Sequence, residues 1–202
     1  MADFLERNRY IPVEKTFGTT IEIQYHYSGH NTLQINPCYR IILPPEVTKV
    51  KRGMAIIDRL GNLGDEIPWP ITTDKDGKTV DLSKIGQPCE GSGENLYTPK
   101  LKESWAVAFN ESRKEAIGFS FQADVLPYIL VCINRGGDLG YYHIALEPST
   151  GRPDNLEVAV NEWKNCAVME ARAEVEWTTK IFVDHNVNSV KKVTSEEGII
   201  QK

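Results

Sequence analysis

Between Ser104 and Leu146 the chain passes through four short apolar stretches, each closed by turn residues, and this spacing constrains the fold more than any other feature. The stretches run from Ser104 to Phe109, Ala116 to Ala123, Tyr128 to Asn134 and Tyr141 to Leu146. Asn110-Glu111-Ser112-Arg113, Asp124-Val125-Leu126-Pro127 and Arg135-Gly136-Gly137-Asp138 separate them, so the run reads as an antiparallel meander.

The flanks support the same class. Thr19 to Tyr27 alternates, with Ile21, Ile23, Tyr25 and Tyr27 on one face and Glu22, Gln24 and His26 on the other. Leu33 to Leu43 is expected to return as its paired strand, with Pro37 marking an edge or bulge. Ala173 to Val183 is the most regular alternation of all, and Trp69 to Ser83 reads as a hairpin or long loop around Asp76-Gly77. Lys49 to Asp58 and the following GNLGDEIPWP read as irregular, and Gly86 to Pro99 as a surface loop. Helix is a minor ingredient: Asp154 with Glu157 resembles a capping box opening one short helix with a stripe of Leu156, Ala159, Val160 and Trp163. The expected architecture is an all-β antiparallel sandwich over residues 19–183. A charged, irregular segment 1–18 precedes it, and a polar tail 184–202 lies loosely on the surface.

Composition excludes several functions. A net charge of −5 and a pI near 5.5, with Lys and Arg nowhere concentrated beyond short clusters, argue against a nucleic-acid partner. No apolar run approaches membrane-spanning length and the amino terminus is charged, so no membrane partner is expected and the compartment is read as cytoplasmic. Cys38, Cys89, Cys132 and Cys166 are dispersed, which favours buried thiols over disulfides and gives no metal-ligand spacing.

Glu147 is the candidate catalytic residue. It ends the strand Tyr141 to Leu146, and Pro148, Gly151 and Pro153 restrict the backbone around it, so its carboxylate is expected at a strand tip in one orientation. The bland alternative is a surface carboxylate at a strand end.

The run ALEPSTGRPDNL resembles the carboxy-terminal signature of the galactose mutarotase-like (aldose 1-epimerase) superfamily. LQINPCYRIILPP, WPITTDKDGKTVDLS, LPYILVCINRGGDLGYYHIALEP and AEVEWTTKIFV are similar to further pieces of that fold, in the same order. The resemblance implies a β-sandwich that interconverts sugar anomers without a cofactor. A glutamate takes the anomeric hydroxyl proton, a histidine protonates the ring oxygen, and the opened aldehyde re-closes on its other face. By matching position, the resemblance implies that Glu147 is that base. Where the acid histidine is expected the chain has Asn36, an amide that cannot supply a proton at neutral pH, which leaves the acid unassigned among His26, His30 or another donor. Family enzymes are also longer at the amino-terminal side.

The expected sugar-binding residues are Asn36, Arg40, Asn134, His143 and Trp69. Asn36 and Arg40 share a strand face, and Arg40 has two readings, a donor to sugar hydroxyls or a partner for a carboxylate across the sheet. His143 shares Glu147's face but lies about 13 Å along the strand, too far to share a proton. Trp69, between prolines, is the tryptophan placed to stack on a pyranose, against the commoner fate of core packing. The expected partner is a monosaccharide or sugar derivative. Two alternatives remain: a non-catalytic carbohydrate-binding module, and a structural or assembly domain forming a homodimer through open sheet edges.

Overall fold

Ile129, Val131 and Ile133 alternate along β10 (Tyr128–Arg135), and Tyr142, Ile144 and Leu146 along β11 (Tyr142–Ser149). Antiparallel pairing sets Val131 opposite Leu146 and Ile133 opposite Ile144, so both strands deliver their apolar rows to one face. The computed structural model of the chain describes residues 37–88, 90–137 and 140–202, and the backbone of 21–24.

These strands belong to a six-stranded sheet in the order β1 (Ile21–Gln24), β11, β10, β7 (Ser92–Tyr97), β3 (Lys49–Ala55), β4 (Glu66–Pro68). A four-stranded sheet runs β12 (Lys180–His185), β9 (Glu115–Ser120), β8 (Trp105–Asn110), β2 (Tyr39–Ile42). Every pairing is antiparallel. Leu96, Val131, Ile133, Ile144 and Leu146 from the first sheet meet Tyr39, Ile41, Ala106, Ala108 and Phe119 from the second in one buried core. The all-β sandwich expected from the strand spacing is therefore present.

The meander is divided, however. β8–β9 forms a hairpin in one sheet and β10–β11 a hairpin in the other, because the connection between them crosses the core and buries Phe121 and Leu126. β1 and β2 do not pair with each other either: β1 joins β11, and β2 joins β8. The hairpin around Asp76-Gly77 forms as β5 (Ile71–Thr73) and β6 (Thr79–Asp81), with the Asp74 carboxylate accepting the backbone N–H groups of Asp76 and Lys78.

The carboxy-terminal segment is packed, not loose. β13 (Lys192–Thr194) and β14 (Gly198–Ile200) form a hairpin, and Val187, Val190, Val193 and Ile199 bury against Trp105, Val107, Phe109 and Ala116 on the outer face of the four-stranded sheet. Gly118 permits this third layer, since a Cβ there would meet Val107 at 3.0 Å and Ile199 and Val193 at 3.3 Å. Four apolar residues scattered among polar ones gave no period, which hid the element. Conversely, of the long alternation Ala173 to Val183 only the end is strand, because residues 173–179 have no partner strand among the described residues and remain largely exposed. Cys132 and Cys166 are half-buried and Cys38 is exposed, so none of these three is sealed in the core as expected. No helix of the described residues is long and apolar enough to cross a membrane.

Tyr142 closes one end of the core, its hydroxyl donating to the Gly86 carbonyl at 2.7 Å. Burial pushes its pKa up to about 12; Arg135 opposes that rise and Glu90 adds to it. A phenol whose folded pKa is raised adds stability that is complete below about pH 10, its unfolded value, and that falls as pH rises toward the folded value. We predict a decline approaching about 1.4 kcal/mol per pH unit for each such group. Tyr97 and Tyr39, both raised chiefly by burial, act in the same direction. Urea unfolding midpoints taken across the alkaline range should fall less steeply in Tyr142→Phe, and an unchanged slope would refute the assignment.

Candidate functional site

With the apolar rows turned inward, the alternate residues of the six-stranded sheet line its outer face. One cross-strand row there is Lys51, Tyr97, Leu130 and Glu147, and another is Gly93, Asn134 and His143. Three residues nominated from sequence thus share one face of one sheet: Glu147 and His143, both half-buried, and Asn134, nearly fully buried. Glu147 is not at a strand tip. β11 continues through Pro148, paired opposite Ile129, to Ser149, so the carboxylate stands within the ladder and is held there by β10.

The chain after β11 folds back over this face and is fastened to it. The Tyr97 hydroxyl donates to Asp154 Oδ1 at 2.8 Å and accepts the Asp154 backbone N–H at 3.0 Å. Trp163 meets the Tyr97 ring edge-on at 5.8 Å, and Lys51 Nζ lies 4.0 Å over the Trp163 ring. Arg152 donates to the Thr98 carbonyl at 2.6 Å and stacks 4.8 Å over Tyr128, whose hydroxyl donates to Asn165 Oδ1 at 2.7 Å. A side chain on Gly53 would collide with the Tyr97 ring, so the small residue lets the tyrosine lie flat against β3.

Asp154 is committed to Tyr97, and the expected capping box does not form. Asn155 is the N-cap of α1 (Leu156–Asn161), its side chain accepting the Val158 N–H at 3.1 Å. Of the expected stripe, Ala159 is buried while Leu156 and Val160 are exposed.

Charge is arranged unevenly on this face. Burial, the Asp154 carboxylate and, more weakly, the charge of Glu147 push the Tyr97 pKa far above the ordinary tyrosine value. Tyr97 therefore remains a neutral donor throughout the physiological range. Burial lowers the Arg152 pKa from the ordinary arginine value, and Tyr128 and Glu66 oppose that fall.

The other nominated residues lie elsewhere. Arg40 is on β2 in the opposite sheet, donating from Nε to Glu111 at 2.8 Å and from NH1 to Ser83 Oγ at 3.0 Å and Asp81 at 3.4 Å. Its reading as a carboxylate partner is the one realised. Trp69 is 8% exposed within the main core, packed as an aromatic of a β-sandwich usually is, and so presents no open ring face for stacking on a sugar. Asn36, His26 and His30 lie outside the described residues. Asn134 Oδ1 accepts the N–H groups of Gly136 and Gly137, both at 3.1 Å, and thereby closes the turn into β11.

Two open clefts of about 400 Å³ mark the described surface. One is lined by Pro37, Cys38, Tyr39, Arg40, Lys84, Glu111 and Ser112, the other by residues of β8 and β9 and the terminal hairpin; neither includes Glu147. Sequence reasoning missed Tyr97 on this face, since SGENLY carries no alternation of apolar and polar residues to mark a strand, and with it Asp154, Lys51 and Arg152, which fasten the returning chain there. Compared with family models, curated proteins and solved structures, the chain matches none.

Proposed function

We propose that this chain is an aldose 1-epimerase-like isomerase acting on a monosaccharide or sugar derivative in a reducing, cytoplasmic setting, with Glu147 as general base. The observation that carries the reading is the shared outer face: a half-buried carboxylate fixed inside a sheet ladder, with His143 and Asn134 on the same surface. Glu147 accepts the anomeric hydroxyl proton while a donor on the other side of the ring gives a proton to the ring oxygen. The C1–O5 bond opens to the aldehyde, and re-closure on the opposite face returns both protons, with no net redox change and no cofactor.

His143, four residues along β11 and about 13 Å from Glu147, is placed for substrate contact rather than as the acid. His185 is on the other sheet beside Glu115. His26 and His30, the other histidines named for the acid role, lie outside the described residues.

A second reading, a non-catalytic carbohydrate-binding module, is favoured by one observation: among the described residues no histidine stands within proton-sharing reach of Glu147, with His143 about 13 Å along the strand and His185 on the other sheet. Anomer exchange measured by NMR on a panel of free and phosphorylated sugars, beside sugar-dependent thermal stabilisation, separates the two. Exchange accelerated above the uncatalysed rate supports the isomerase. Stabilisation without exchange replaces it with the binding module, and neither effect overturns both.

A further inference from the structure

β12 is the outer strand of the four-stranded sheet, bonded to β9 on one side, and no strand lies along its other side among the described residues. Such an edge presents unpaired backbone donors and acceptors and invites another strand. Its side chains are unusual for an edge held apart from neighbours: Ile181 and Val183 are 50% and 51% exposed. The other edge of this sheet is covered, because Ile41 N donates to the Ser83 carbonyl and Ile85 N to the Tyr39 carbonyl.

We propose that β12 pairs antiparallel with β12 of a second copy of this chain, about a twofold axis through Phe182. A twofold axis perpendicular to the sheet leaves each side chain on its own face, so opposed residues must be an even number apart and the axis must pass beside a single residue. Only three centres engage most of the strand. Centred on Ile181, Lys180 opposes Phe182 and Thr178 opposes Asp184; centred on Val183, Phe182 opposes Asp184 and Ile181 opposes His185. Centred on Phe182, Lys180 opposes Asp184 twice, Ile181 opposes Val183 twice, and Phe182 meets its own copy. Charge and apolar complementarity therefore select one register from three.

Among the described residues of one copy the Asp184 carboxylate lacks a counter-charge, and Lys180 is engaged only at the exposed terminal hairpin. Within its own sheet Lys180 stands opposite Ser120 and Asp184 opposite Ala116, so β9 supplies neither with a counter-charge. Lys180 Nζ donates to the Ser195 carbonyl at 2.9 Å and acts on the nearby exposed Glu196, contacts that an opposed carboxylate would compete with, and the Asp184 carboxylate has no ion pair or side-chain hydrogen bond among the described residues. Phe182 is half-buried under Gly198 of the terminal hairpin, so the twofold continues that covered layer. Four strands from each copy would form one continuous sheet. The proposal is independent of what Glu147 does.

Sedimentation equilibrium on the full chain over a wide loading range tests it, together with two variants. The wild type should show a monomer–dimer equilibrium. Asp184→Lys sets like charges against each other at two places and should raise the dimer dissociation constant about tenfold or more. Combining it with Lys180→Asp restores opposite charges and should restore dimerisation. A zero-length carbodiimide cross-link between Lys180 and Asp184 in a mixture of ¹⁴N and ¹⁵N chains should join light to heavy chains, since the two side chains of one copy are about 13 Å apart along the strand. A wild type that stays monomeric, a dimer indifferent to the single charge reversal, or a double variant that fails to recover would each overturn the register.

Discussion

Glu94→Gln should destabilise the fold by about 3–5 kcal/mol, the cost of breaking a buried ion pair by neutralising one partner. Glu94 is on β7, 2% exposed, and both carboxylate oxygens are used: Oε1 accepts from Arg59 Nε and Oε2 from Arg135 NH1. Arg135 is 1% exposed, with Nε donating to the Ile85 carbonyl, NH2 3.4 Å from the Lys84 carbonyl, and Glu90 3.5 Å from Nε at the rim. Glutamine keeps one acceptor but removes the charge, so a buried guanidinium is left facing the partly exposed Glu90 alone.

The same pair in a double substitution behaves differently. Removing both charges, as in Glu94→Leu with Arg135→Leu, takes out the buried pair together and leaves behind only the partly exposed Arg59 and Glu90, so it should cost much less than the sum of the single changes. Urea denaturation of the four proteins gives the coupling directly, provided the urea dependence of the free energy keeps the same slope. A loss below about 1 kcal/mol for Glu94→Gln would mean that solvent reaches the cluster and the ion pair is worth only what surface pairs are.

That cluster also explains why one central strand could not be read from the sequence. Period-2 patterns reveal a strand when its inward residues are apolar, as in Ala108, Phe119, Val131 and Ile144. β7 sends Ser92 and Glu94 toward the interior with Leu96, and their polarity is offset by Arg135 from β10, a residue 41 positions from Glu94 that no local pattern connects to it. Gly86 to Pro99 therefore looked like a surface loop although β7 lies in the middle of the larger sheet. β3 was hidden the same way, since Arg52 points inward and donates to Asp58 and the Gly61 carbonyl. The candidate face was legible through β10 and β11, whose outward residues Asn134, His143 and Glu147 follow from alternation alone. What else occupies that face was not, because Tyr97 and Lys51 come onto it through strand order and Asp154 through a returning loop.

If Glu147 is the base, Glu147→Gln should reduce anomer exchange by about 10²- to 10⁴-fold, the range for losing one general base. Glutamine matches the side chain in size and can still accept a hydrogen bond, but it cannot take up a proton, so the loss belongs in kcat while KM stays near that of the wild type. Thermal stability should change by only about 0.5–1 kcal/mol, because glutamine keeps the side chain's size within the β11 ladder and leaves the Tyr97–Asp154 bonds in place. Glu147→Asp retains an ionisable group but withdraws it by one methylene, and it should fall between wild type and Glu147→Gln, since a misplacement of about 1 Å can cost on the order of 10²-fold in rate. The pH profile adds an independent readout: exchange should diminish toward acid in the wild type, where a protonated base is idle, and Glu147→Gln should lose that limb. Should the wild type exchange anomers while Glu147→Gln does so equally fast with the acid limb intact, the carboxylate within the β11 ladder is a structural group, and the proton acceptor must be sought among the other residues of that face.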